Sequence, residues 1–183
     1  MFALGTVVHE FVSKKWREIT FRFILESDVS LLLDYINTLS SEDTFIRLSG
    51  EQYTLVQEQK FVDDWLVQIN ANNKIALVAL HGERVVSFAT VDRLERRSKH
   101  VGDLAVSVAK DYREEGIGKE MLTTLLELSP RMGLQMIELT AYSPNEIAIG
   151  LYAKLGFKEV GRVPKKALFH GELVDEVIMV KFL

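Results

Sequence analysis

The run Leu104-Ala105-Val106-Ser107-Val108, followed shortly by Arg113-Glu114-Glu115-Gly116-Ile117-Gly118-Lys119, constrains this chain more than any other feature. A short apolar, β-branched stretch ends in a turn whose Arg-x-x-Gly-x-Gly opens directly into a helix. Gly116 and Gly118 have no Cβ, so backbone N–H groups can close on a ligand. The helix behind them adds unpaired donors and the positive end of its dipole. Such a turn binds phosphate. Taken alone, two glycines at a helix start can equally make only a tight turn.

Two familiar phosphate motifs do not fit. A Walker loop ends in Gly-Lys-Ser/Thr, and Gly118-Lys119-Glu120 lacks the hydroxyl. A dinucleotide fingerprint needs a third small residue where Met121 stands. Composition removes further classes. With no cysteine there is no disulfide, thiolate metal site or cysteine nucleophile, and the four histidines show no metal-ligand spacing. A net charge of −4 gives no general reason to bind nucleic acid. No apolar run is long enough to span a bilayer, and the start Met1-Phe2-Ala3-Leu4-Gly5 lacks a basic flank. The expectation is a cytoplasmic protein with no metal, nucleic-acid or membrane partner.

Three prolines, no repeat and no low-complexity stretch leave no linker, so residues 1–183 read as one domain. The first fifteen or so form an added strand or arm. Ile19 to Leu25 reads as a strand, and Ser27-Asp28 caps a helix carrying Leu31, Leu32, Tyr35 and Leu39. A second helix covers Tyr53 to Ile69, with Phe61, Trp65 and Ile69 on one face. Lys74 to Leu80 and Val85 to Val91 flank a glycine-containing turn and read as a hairpin. Val101 to Val108 leads into the glycine turn, and the helix from Gly116 to Leu128 turns Ile117, Met121, Leu122, Leu125 and Leu126 inward. Met136 to Tyr142 is a strand. Ser143-Pro144-Asn145-Glu146 is a capping box opening a helix with Ile147, Ala148, Leu151 and Leu155 inward. Extended chain resumes at Phe157, and Val174 to Phe182 is the final strand. The order is β-α-α-β-β-β-α-β-α-β-β, an α/β fold with a mixed, mostly antiparallel sheet of six or seven strands and about four helices. The central strand–helix–strand unit is expected to be parallel.

The second half of the chain adds Asn145-x-x-Ala148-x-x-Leu151-Tyr152-x-Lys154-x-Gly156-Phe157. Together with the glycine turn, this resembles the GNAT superfamily of N-acetyltransferases, which bind acetyl-CoA. The resemblance is best from Val101 to Phe157. It implies that the amides of Arg113, Glu114, Gly116, Ile117, Gly118 and Lys119 hold the cofactor diphosphate. It also implies that the preceding strand bulges and splays, so that backbone near Val106 and Val108 pairs with the pantetheine arm. Pantetheine carries two amides and can add to an open sheet edge as a short peptide would. On the same resemblance Asn145 bonds the cofactor arm and Tyr152 sets its hydroxyl near the thioester sulfur. The other readings are a capped first turn for Asn145, a packed aromatic for Tyr152, core side chains for Val106 and Val108, and a solvated charge for Lys154.

Acetyl transfer to nitrogen needs a neutral amine, so a base or water relay is expected. Asp103, Glu138 and His100 are the candidates, with Asp103 at the position where relatives carry a carboxylate. Where some relatives have a catalytic Glu five residues before the Asn, this chain has Thr140. Tyr152 is the candidate proton donor to the departing thiolate. The acceptor is a small amine or a protein amine, in a pocket framed by the first two helices, Val101 to Asp103 and the last hairpin. Glu42, Asp43 and Glu51 are either attractants for a cationic substrate or solvated charges. Sheet edges and terminal strands leave room for a homodimer. A non-catalytic acyl-CoA-binding domain of the same fold is the alternative reading.

Overall fold

A computed structural model describes residues 3–42 and 44–183. Eight strands and four helices follow one another as β1 Val7–Val12, β2 Glu18–Phe23, α1 Val29–Ser41, α2 Leu55–Asn70, β3 Lys74–His81, β4 Arg84–Arg93, β5 Val101–Val108, α3 Ile117–Leu128, β6 Met136–Tyr142, α4 Glu146–Lys154, β7 Lys158–Phe169 and β8 Glu172–Phe182. The N-terminal arm supplies the strand beyond the expected six or seven. All eight join one sheet in the order β1-β2-β3-β4-β5-β6-β8-β7. Every neighbouring pair is antiparallel except β5 and β6, which run parallel across the α3 crossover.

The core sits on both faces of the central strands. Ile75, Leu77 and Val91 are fully buried in the sheet, and α3 contributes Ile117, Met121, Leu122 and Leu125 from its apolar stripe. On the opposite face α1 brings Leu32, Tyr35 and Leu39. The Tyr35 hydroxyl meets Ser107 Oγ of β5 at 2.9 Å, which shows that odd-numbered β5 side chains face α1. Val108 instead lies beneath Gly118 of α3, together with Leu151 of α4.

Local details depart from the sequence reading in three places. Asp28 does not cap α1 through its side chain. Its carboxylate binds the Arg22 guanidinium at 2.6 and 2.7 Å and accepts the Leu25 N–H at 2.8 Å, because a buried carboxylate is best held by a bidentate cation. The cap of α4 is Asn145, not Ser143: its Oδ1 accepts the Ala148 N–H at 3.3 Å. Ile147 is 75% exposed, while Tyr152 is the buried residue of that short helix.

Candidate functional site

The chain reverses its course at Gly116, whose φ of 95° is open to glycine without a Cβ clash against its own backbone. Gly116 is the N-cap of α3. Among the described residues the N–H groups of Ile117, Gly118 and Lys119 find no acceptor. Three bare amides at a helix N-terminus form a concentrated positive site. A Cβ on Gly118 would meet Val108 at 3.6 Å and Leu151 at 4.0 Å, ordinary contacts, whereas one on Gly116 would meet nothing within 4 Å.

The turn leading to this helix is held from two sides. Arg113 Nε donates to the Val108 carbonyl at 3.0 Å, and its guanidinium pairs with Glu42 at the end of α1. The second Glu42 oxygen accepts the Lys110 N–H at 3.1 Å. Arg113 therefore braces the turn; its own N–H already donates to Lys110 O. Glu114 is exposed with φ 63°, and Lys119 is exposed beside Glu120. On the other side Glu115 is 1% exposed and points away from the helix tip into the β1–β2 turn. There it accepts Ser13 Oγ at 2.8 Å and lies 3.4 Å from Lys15 Nζ and 3.3 Å from Arg17. The Glu115 carbonyl takes the Lys14 N–H at 3.1 Å.

The strand before the turn is paired on one side only. Against β4 it keeps a regular register from Gly102 to Val108 with no shift, so the expected bulge is not seen. Against β6 it pairs only at Val101, Gly102 and Asp103; beyond that the two strands diverge. The divergence begins where both strands leave the buried floor formed by Gly102, Leu134 and Ile137. The Ala109 N–H reaches Val86 O at 2.9 Å, and alternation along the strand then turns the peptide groups of Val106 and Val108, beyond the last pairing with β6, toward the gap. The Val106 and Val108 side chains pack against the core.

A cleft of about 290 Å³ opens into this gap. Asp103 to Ser107 form one wall, Thr140, Ala141 and Tyr142 the other, and Tyr152 of α4 closes the end. Its mouth is lined by Phe45 to Leu48, after α1, and by Glu176 of β8. The tip of the long β7–β8 hairpin reaches the same loop, where Phe169 stacks on Phe45 at 4.6 Å. The second helix does not line the cleft; its place is taken by the loop that follows the first.

Burial raises the Tyr152 phenol to about 12, and its hydroxyl has no hydrogen bond among the described residues. Desolvation also raises Asp103; the Arg47 charge partly offsets this, while Asp92 and Glu176 add to it. Glu138, register partner of Asp103, is raised by its own burial and by the Asp103 charge. His100 is exposed and outside the cleft, so of the candidate bases Asp103 is the one on the cleft wall. Glu42 and Glu51 do not line it either; Glu51 is engaged with Ser49, and Asp43 lies outside the described residues. Asn145 caps α4, leaving its Nδ2 without a partner among the described residues. Sequence reasoning missed Arg47, Glu176 and the clasp on Glu115. Arg47 lies in a loop and Glu176 on an interior strand whose pattern gives no sign of the cleft, and the clasp joins residues 102 apart.

Among the described residues no His, Asp or Glu group is placed to hold a metal ion, and no helix is long and apolar enough to cross a membrane.

The model of the Acetyltransferase (GNAT) family matches residues 40–157. The L-amino acid N-acetyltransferase AaaT of Escherichia coli is 33% identical over 107 residues, 57% of this chain and 66% of that protein. The chain thus spans just under two thirds of that relative. Among solved structures, a GNAT-family acetyltransferase from Streptococcus pneumoniae is 26% identical with a TM-score of 0.82, covering 90% of this chain and 99% of its own. The fold is shared too with yncA of Salmonella typhimurium, described with its cofactor acetyl-CoA, at 18% identity and a TM-score of 0.78 over 90% of this chain and 94% of that one.

Proposed function

The chain belongs to the Acetyltransferase (GNAT) family, and from that membership we propose that it moves an acetyl group from acetyl-CoA to a primary amine while both are bound. One observation carries the reading. A single strand, β5, has bare amides of α3 beyond one end, an edge left unpaired past Asp103, and a buried phenol and a carboxylate on the cleft it walls. A diphosphate, an amide-bearing arm and a thioester come in that order along coenzyme A. The residues fit such a ligand: Ile117, Gly118 and Lys119 would hold the diphosphate through N–H groups, and the Val106 peptide would pair with the arm. Asn145 Nδ2 would be a further donor to it.

When bound, acetyl-CoA supplies the acyl group as a thioester. The chain's own residues then handle protons and charge. Asp103 accepts the proton that the amine must lose, directly or through one water, before nitrogen can attack. Its raised pKa makes it a better base than an exposed aspartate. The N–H on the gap side of Val106 would be the donor to the oxygen that gains negative charge as the N–C bond forms. As the C–S bond breaks, Tyr152 would deliver a proton to sulfur, and the second proton that nitrogen sheds on becoming an amide would restore the phenol. A phenol near 12 stays protonated at neutral pH. Its transfer to a thiolate of ordinary pKa near ~8.5 would run uphill, but the same desolvation raises a thiol held in this cleft. The products are the N-acetyl amine and the free thiol of coenzyme A.

The test is release of free thiol from acetyl-CoA on adding a panel of amines. Amine-dependent thiol above background supports the reading. Tight binding of coenzyme A with no such thiol would sink it in favour of an acyl-CoA-binding domain.

A further inference from the structure

Arg47 is the charged group the site has not yet used. It stands in the loop after α1, between Phe45, Ile46 and Leu48, and lines the cleft mouth with them. It is exposed, and makes no hydrogen bond or ion pair among the described residues. Other cations near the site are spent: Arg113 on Glu42, and Arg17 and Lys15 on Glu115. The carboxylates of Asp103 and Glu176 line the same cleft, and the Arg47 charge partly offsets the effect of burial on Asp103. Ile36, Leu39, Phe45, Ile46, Leu48 and Phe88 make the rest of the mouth apolar.

Arg47 is at the wrong end of β5 for the cofactor's phosphates. Asp103 and Val108 are five residues apart, so roughly 17 Å of strand separates the carboxylate end from the glycine turn. A cation there serves the acceptor. The acceptor that satisfies all these groups carries an amine for the carboxylates, a carboxylate for the guanidinium, and an uncharged body for the apolar walls.

We propose that Arg47 binds the carboxylate of the acceptor, and that the amine acetylated here is that of a free α-amino acid with an uncharged side chain. This rests on the acetyl-transfer reading above. Guanidinium is suited to the task, since its planar fork matches a carboxylate through two parallel hydrogen bonds. A peptide N-terminus offers no carboxylate at that distance from its amine and leaves the cation unmatched.

The experiment measures thiol release with matched acceptors: uncharged L-amino acids, their amides, the corresponding decarboxylated amines, and tripeptides beginning with the same residues. The best amino acid should exceed its amide in kcat/KM by roughly 10- to 100-fold, the range for a charge-assisted hydrogen bond. Arg47→Ala should collapse that ratio toward one, mainly through KM, and Arg47→Lys should restore part of it. A merely structural arginine would depress amino acid and amide together. Equal use of acids and amides, a preference for the tripeptides, or an unchanged ratio in Arg47→Ala would overturn the assignment while acetyl transfer stood. No thiol release with any acceptor would instead remove the reading on which it rests.

Discussion

Replacing Glu115 by alanine should lower the melting temperature by about 6–12 °C, at 2–4 °C per kcal/mol for a chain of this size. The carboxylate is 1% exposed, yet its two oxygens are not equivalent. One accepts Ser13 Oγ at 2.8 Å, a charge-assisted bond whose loss costs ~1.5–3 kcal/mol. The other has no hydrogen bond and sees only Arg17 at 3.3 Å and Lys15 at 3.4 Å. Arg17 is 29% exposed and contributes ~1 kcal/mol; Lys15 is 61% exposed and contributes ~0 after solvent screening. The sum is ~3 kcal/mol for Glu115→Ala. Glu115→Gln keeps an acceptor for Ser13 and should lose only ~1–2 kcal/mol. Circular-dichroism melts of both variants give the values, and a cycle with Arg17→Met isolates the pair. Lys15→Met should be silent. A Glu115→Ala melt within 2 °C of the parent, or Lys15→Met as damaging as Arg17→Met, would refute this account of the clasp.

Tyr152→Phe should reduce kcat by ~10²-fold or more with little change in coenzyme A affinity, as expected of a proton donor; equal losses in both would mean that it only packs. Asp103 titrates above its ordinary 3.8 when folded, so the native state holds its proton longer than the unfolded chain. Stability is therefore lost as pH rises through the interval above 3.8 and stays reduced beyond it. Asp103→Asn should accordingly be the more stable protein at pH 7, converge with the parent below that interval, and acetylate poorly; melts across pH 3–8 decide this. Gly102→Ala brings a methyl within 2.7–2.9 Å of Val91, Leu134 and Ile137 and should destabilise by ~1–3 kcal/mol through overpacking, read by urea unfolding.

The elements nearest the chemistry were the most legible. β5 and β6 fall on the residues marked in sequence, β6 being bracketed by Gly133 and Pro144. α3 likewise begins where Gly116 must take positive φ. Legibility fell where tertiary partners override local preference. Asp28 looks like a cap in sequence, but Arg22 claims it. Ile147 looks like core, but a nine-residue helix covering a cleft buries Tyr152 in its place. At the cleft mouth the first helix, Asp103 and the last hairpin were legible, but the Phe45 to Leu48 loop was not. Phe45 meets Phe169 across 124 positions, and no periodicity announces such a meeting. The open edge of β5 followed from the resemblance alone, since unpaired backbone leaves no mark in side-chain pattern.

That edge gives β5 two unlike halves within each pair of residues. Peptide groups directed at β4 are locked in a ladder, whereas those of Val106 and Val108 are directed at the gap. In deuterated buffer, labels should enter this stretch at every second amide, a stippled pattern that few buried strands would display. A compound lying in the gap as a surrogate strand would erase the stippling, so the backbone itself would report occupancy without any engineered probe.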